Sequence, residues 1–170
     1  IYISIDSPKV IESASNIAMT RLFIDLYSDA VVEEHYDAEL AGIHYHLYSH
    51  QGGMTLQLSG ISTKQGQLLP LLLSSLLNCE FCHEKFELFK QQLISHWRNA
   101  ESSKSISQLF ATLSASMQPK SPSSQTLIAS LEKISFDDFK DFISQIFDQV
   151  AIDALIHGNW PKSAAEQMIK

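Results

Sequence analysis

The residues with the most obvious capacity for chemistry stand together from Cys79 to His83, in the sequence CEFCH. The Cys-x-x-Cys-His spacing is used for haem attachment, and it overlaps the patterns of zinc half-sites and thioredoxin-like redox pairs. Zinc would need a second ligand pair, but Cys79 and Cys82 are the only cysteines in the chain. Haem would need a cavity and usually a second axial ligand, neither of which the sequence identifies. We interpret the cysteines as incidental thiols, with a reversible disulfide under oxidising conditions as the alternative.

Three histidines form a second group with metal-binding potential. His44 and His46 are two residues apart in a predicted strand, so both side chains share one face, and His50 follows near the turn. Strand alternation with the apolar residues between Ile43 and Leu47 already explains this spacing. The histidines therefore indicate a polar, solvent-facing strand surface more than a metal site.

The motifs of hydrolases and nucleotide-binding proteins do not occur in the sequence. His35 and Glu39 are four residues apart, which is neither His-Glu-x-x-His nor its inverse His-x-x-Glu-His. There is no Gly-x-Ser-x-Gly and no glycine-rich phosphate loop. We predict no catalytic, cofactor-binding or metal-ligating residue in this chain.

Composition points to one globular domain over residues 1–170. The chain is 45% hydrophobic and carries a formal charge of −7, which disfavours a nucleic-acid partner, and no apolar run is long enough to span a membrane. It begins at Ile1 without Met or a leader-like segment. We therefore expect a fragment of a longer protein, with the compartment left open between periplasm and cytoplasm.

Predicted strands and helices follow one another along the chain and determine where these residues lie. IYISID has the period of a strand, and Ser13 can cap the long helix that follows. From Ile17 to Val32 that helix is apolar around most of its circumference. Its polar positions form one narrow stripe: Arg21, Asp25, Ser28, Asp29 and Glu33. HYDAELAG continues as helix, and two alternating runs around Gly52 and Gly53 predict a hairpin.

The second half of the chain is mostly helical. Cys82 holds the cap position of a helix running from about His83 to Asn99. The next helix has one apolar face, made of Ile106, Leu109, Phe110, Leu113 and Met117. A helix from Ser135, a strand at VAIDALIHG and a helix after Pro161 complete the order. This pattern predicts an α+β fold with several helices on one face of a small, mostly antiparallel sheet.

Three stretches in this order carry a family resemblance: AELAGIHYHL, GMTLQLSGISTKQ and IDALIHGN. Together they resemble the insulinase (pitrilysin) family of zinc metalloendopeptidases, and specifically the third of its four homologous domains. The matching positions are Ala38 to Gly42, Tyr45, Leu47, Gly53, Leu56, Gly60, Lys64, Gln65 and His157 to Asn159. Ile61, where the family usually has Tyr, is a minor departure.

The resemblance implies helices over a curved sheet, repeated four times in a parent whose two halves close like a clamshell around a peptide chamber. It implies zinc in the first domain of the parent, on a His-x-x-Glu-His helix. The corresponding helix here, from Arg21, has Leu, Phe and Tyr on its inward side, which implies a domain without zinc. The resemblance implies that this domain walls the chamber and supports the clamshell. It also implies two kinds of partner, the parent's other domains and the peptide substrates. Within the family the CEFCH region has no ligand role.

Two alternative functions, from other classes of protein, remain open for this chain. One is a homologous non-catalytic subunit of a processing-peptidase-like assembly. The other is a small metal or haem binder through Cys79, Cys82 and His83.

Overall fold

The helices and strands follow the predicted order. The structure, a computed structural model, describes residues 1–101, 104–117 and 121–169. Its elements are β1 (Tyr2–Asp6), α1 (Ala14–Leu40), β2 (Ile43–Ser49), β3 (Gly53–Gly60), α2 (Ser62–Asn78), α3 (His83–Glu101), α4 (Ser105–Met117), α5 (Ser124–Leu131), α6 (Phe136–Ile146), β4 (Ala151–Leu155) and α7 (Lys162–Ile169). The predicted α+β class is confirmed.

The sheet has four antiparallel strands in the order β2-β3-β1-β4. The predicted hairpin joins β2 to β3, with Leu47 opposite Leu56. β1 lies between β3 and β4, so Ile3 has Leu56 on one side and Ala154 on the other. Among the described residues, β2 and β4 therefore form the two edges of the sheet.

The core lies between the sheet and the helices, and α1 is its centre. Ile3, Leu47 and Leu56 are buried on the sheet, while Leu22 and Phe23 of α1 have no exposed surface. Burial of each such side chain stabilises the fold by about 1.5–3 kcal/mol relative to exposure. The long apolar helix predicted from the sequence is therefore the helix that organises the domain.

Local signals define the ends of α1. The hydroxyl of Ser13 accepts a hydrogen bond from the Asn16 N–H at 3.1 Å, which confirms Ser13 as the N-cap. The predicted second helical segment continues the first across a kink at His35, where φ is −118° and ψ is 26°. Gly42 follows the helix with φ of +78°, a left-handed conformation that only glycine adopts without strain.

Two apolar surfaces of the described chain are left uncovered. The α4 helix forms as predicted, but its five apolar side chains are between 49% and 72% exposed. Ile152 of β4 stands opposite the buried Ile5 and is nevertheless 61% exposed, because the helices do not extend over this edge. Among the described residues, none of the helices combines the length and apolar character needed to cross a bilayer.

Candidate functional site

The cysteine motif lies at the junction between two helices. α2 ends at Asn78 and α3 begins at His83. The Phe86 N–H donates to the Cys82 carbonyl at 3.1 Å, and the Lys85 N–H donates to the Cys82 Sγ at 3.5 Å. These contacts confirm the predicted position of Cys82 as an N-cap, where a side-chain acceptor serves otherwise unpaired N–H groups.

The three side chains of this motif have separate surroundings. Cys79 is half-buried, Cys82 is exposed, and both are free thiols. Burial, with a further contribution from Glu34, raises the pKa of Cys79, so its metal-binding and nucleophilic thiolate form is disfavoured. The His83 ring packs edge-on against Phe136, with ring centres 5.4 Å apart. Within the described ranges, no three His, Cys, Asp or Glu side chains converge in a way that could hold a metal ion.

His44, His46 and His50 belong to no metal-binding cluster among the described residues either. His44 is exposed, with its Nδ1 3.5 Å from a carboxylate oxygen of Glu39, and His46 stacks on Tyr48 with ring centres 5.9 Å apart. His50 is engaged through both ring nitrogens: Nδ1 accepts from the Gly52 N–H at 3.1 Å, and Nε2 lies 3.1 Å from the Ser4 hydroxyl. Its contacts stabilise the hairpin turn.

The inward face of α1 is apolar. Leu22, Phe23, Leu26 and Tyr27 are at most 2% exposed. The Tyr27 hydroxyl donates to the Leu72 carbonyl at 2.8 Å, and burial raises the pKa of this phenol well above its usual value. These four side chains therefore present no carboxylate or imidazole to a metal.

A groove opens beside the polar stripe of α1. It encloses about 790 Å³ between α1, α3 and the edge strand β2. Arg21 and Asp25 line its α1 side, His96 and Trp97 its α3 side, and residues 46–49 its β2 side. We call this feature the β2 groove.

The charges of the β2 groove are only partly compensated. The guanidinium carbon of Arg21 lies 5.9 Å from the centre of the Trp97 ring, which is the range of a cation–π contact. No hydrogen bond or ion pair joins Arg21 to the described residues, and its Nε is buried without a partner. Burial lowers the pKa of Arg21 and raises the pKa of Asp25, although His96 and Arg21 oppose the shift of Asp25. Half-buried charges without hydrogen-bond partners are costly for folding, which makes this groove the strongest candidate site.

The polar stripe of α1 was predictable from the sequence, but the groove beside it was not. Arg21 and Asp25 were visible in the sequence as members of the polar stripe in a long apolar segment. Trp97 and β2 lie in elements that were predicted, but they are distant in sequence from the stripe, so nothing local showed that they meet it.

The described residues form an α+β domain, and comparison with known proteins shows its family. A family model described as the middle or third domain of peptidase M16 matches residues 1–130. The chain belongs to the peptidase M16 (insulinase/pitrilysin) family, which confirms the resemblance seen in the sequence.

Individual relatives support the same assignment. Human insulin-degrading enzyme is 29% identical over 86% of this chain and 14% of its own length. The protein mug138 of Schizosaccharomyces pombe, named as a candidate zinc protease, is 26% identical over the whole chain and 18% of its own length. The crystal structure of pitrilysin has the same fold, with a TM-score of 0.85 and 20% identity over 98% of this chain and 18% of that one. The chain thus spans less than a fifth of the length of each of these three proteins.

Proposed function

We propose that this chain is the non-catalytic middle domain of an insulinase-type zinc metalloendopeptidase, where it walls the peptide chamber and supports the two halves of the clamshell. The observation that carries the proposal is the inward face of α1. This helix stands where the family resemblance expects the zinc helix, yet its buried face consists of Leu22, Phe23, Leu26 and Tyr27.

The buried face formed by Leu22, Phe23, Leu26 and Tyr27 does not fit a zinc ion. Zinc in proteins takes thiolate, imidazole and carboxylate ligands, whereas these four side chains are alkyl and aromatic groups. The Tyr27 hydroxyl is already bonded to the Leu72 carbonyl. In this proposal the catalytic zinc belongs to the first domain of the parent, as the family resemblance implies, and this domain contributes packing and surface.

The catalytic part of the proposal is tested by comparing the full-length protein with the 170-residue chain. Hydrolysis of an internally quenched peptide is measured with and without a chelator. We expect chelator-sensitive hydrolysis by the full-length protein and none by the chain at the same molar concentration. Chelator-sensitive hydrolysis by the chain alone would contradict a non-catalytic role.

The chamber-wall role needs a separate readout. A substrate peptide carrying a benzophenone photocrosslinker is irradiated with the zinc-depleted full-length protein, and the adducts are located by mass spectrometry. We expect some of the adducts within residues 1–170, and an excess of unlabelled peptide should suppress them. Adducts confined to other domains would argue against a wall formed by this one.

A further inference from the structure

The five exposed apolar side chains of α4 form one face of the helix. They recur three or four residues apart, so they project from the same side. Single exposed apolar residues are ordinary on a protein surface, whereas a row of them marks a contact surface. We call this row, in which every side chain is at least 49% exposed, the α4 face: Ile106, Leu109, Phe110, Leu113 and Met117.

The helix that carries the α4 face has no charge. The 13 residues of Ser105–Met117 include no Asp, Glu, Lys, Arg or His. Two hydroxyls on its polar side are bonded within the helix, because Thr112 donates to the Gln108 carbonyl and Ser116 to the Thr112 carbonyl, both at 2.9 Å. A helix on a solvated surface normally has charged residues opposite its apolar face, so α4 has the sequence of a covered helix.

The helix α5 shows what such a sequence does when a surface covers it. α5 also has no charged residue, but Leu127 and Leu131 on its apolar side are at most 3% exposed, because the helix packs against α1 and α3. None of the other described helices or strands packs extensively against α4. Within the described part of the chain, α4 therefore lacks the surface that would bury its apolar face.

The absence of charge favours one kind of occupant for the α4 face. A helix that binds a lipid surface has Lys or Arg on its polar side, and α4 has neither. Transient protein interfaces are about as polar as the rest of a protein surface, whereas permanent interfaces are more apolar. A permanent partner is available in the same polypeptide, since this chain spans only 14–18% of the three relatives described above.

We propose that the α4 face is a permanent contact surface for another domain of the same parent chain, which covers it with apolar side chains. This inference rests on the proposed function, which supplies the adjoining domain. It gives α4 a role in joining domains, while the core of this domain forms without it.

Coverage of the α4 face is measured by thiol labelling of the full-length protein. Leu109→Cys places a thiol in the α4 face. Leu88→Cys is the matched control, because Leu88 is 54% exposed on α3 against 66% for Leu109, and its helical neighbours Glu84 and Gln92 are charged or polar. Each variant reacts with N-ethylmaleimide, and peptide mass spectrometry follows the introduced thiol separately from the native cysteines.

Position 109 should react at least about tenfold more slowly than position 88, because a covered thiol reacts only when the contact opens. The two rates should become equal in concentrated urea, which removes the contact. Equal rates under native conditions would show that nothing covers the α4 face.

A photocrosslink identifies what covers the α4 face. p-Benzoylphenylalanine replaces Phe110 in the full-length protein, which is irradiated without peptide or lipid, and the adducts are located by mass spectrometry. We expect crosslinks within one polypeptide, to residues of the parent outside residues 1–170. The same group in place of Leu88 should give few of these adducts.

Three other outcomes would overturn the inference. Adducts that join two polypeptides would assign the α4 face to a second copy, and adducts to residues 1–170 of the same chain would mean that α4 packs on its own domain. Slow labelling that requires added phospholipid vesicles or an added peptide would identify a lipid or substrate site. The proposed function fails separately, through absence of chelator-sensitive hydrolysis by the full-length protein, whatever the labelling rate at position 109.

Discussion

The hydroxyl of Tyr27 donates a 2.8 Å hydrogen bond to the main-chain carbonyl of Leu72, which joins α1 to α2 inside the core. Tyr27 is 2% exposed and Leu72 is fully buried. Because burial raises the pKa of the phenol, the hydroxyl keeps its proton throughout the physiological pH range. This bond satisfies a polar group that would otherwise be buried alone.

Tyr27→Phe should lower the free energy of unfolding of the chain by about 1 kcal/mol, because the ring stays packed while one buried hydrogen bond is lost. Tyr36→Phe on the same helix is the matched control, since Tyr36 is 57% exposed and should change stability by less than about 0.5 kcal/mol. Urea denaturation followed by circular dichroism gives both values. Equal midpoints for the two variants would show that the Tyr27 bond adds no net stability.

Leu22→Ala and Leu26→Ala should each destabilise the chain by about 2–5 kcal/mol through lost burial and a residual cavity, since both side chains are at most 1% exposed. Leu40→Ala at the end of the same helix removes the same atoms from a side chain that is 69% exposed. Its effect should stay below about 0.5 kcal/mol. Denaturation midpoints that barely move for Leu22→Ala and Leu26→Ala would mean that these two side chains do not lie in the core.

Replacing Cys79 and Cys82 together by Ser should preserve the fold and any metal content, because neither thiol has a ligand partner among the described residues. Cys82→Ser alone should stabilise the chain by up to about 1 kcal/mol, since a hydroxyl is a better N-cap acceptor than a thiol. Thermal melting and elemental analysis under reducing conditions test both statements. Stoichiometric metal that disappears with the double substitution would instead support the metal or haem alternative.

Burial should determine how the alkylation of Cys79 responds to pH. Burial raises the pKa of Cys79 above its reference value of 9.0, so at neutral pH this side chain stays almost entirely in the unreactive thiol form. Iodoacetamide should alkylate the exposed Cys82 faster at pH 7.5, and the rate at Cys79 should still be rising above pH 9. Peptide mass spectrometry of timed samples measures each site. A Cys79 rate that levels off below pH 8.5 would contradict the raised pKa.

The uncovered face of α4 should contribute little to the stability of the chain itself. Phe110→Gln and Leu113→Gln are predicted to change the free energy of unfolding by less than about 0.5 kcal/mol and to reduce binding of the apolar dye ANS. Phe139→Ala is the core comparison: this side chain is fully buried, and its truncation should cost about 3–5 kcal/mol. A loss of several kcal/mol for Phe110→Gln would show that α4 packs against the core in solution.

The sequence determined the local elements of this protein and their order. The helical period of α1, the cap at Ser13 and the alternation around Gly52 and Gly53 depend on residues within a few positions of one another. The position of Cys82 at the start of a helix could be predicted from the sequence for the same reason. Capping and turn preferences act through hydrogen bonds between residues that are near in sequence, so short stretches of sequence are enough to predict them. The family resemblance added the domain type, through motifs spread over the chain.

Tertiary structure alone decided which of these elements meet and which faces stay open. Arg21 lies against Trp97, 76 positions later in the chain, and no local pattern links the two residues. The sequence predicts apolar surfaces on both α1 and α4, yet α1 is the centre of the core and the apolar face of α4 is exposed. Likewise, the alternation of β2 predicts a strand but not that it stands at a sheet edge beside a groove. Strand order and burial depend on contacts between distant segments, because each apolar face is covered only if the rest of the chain brings another surface to it.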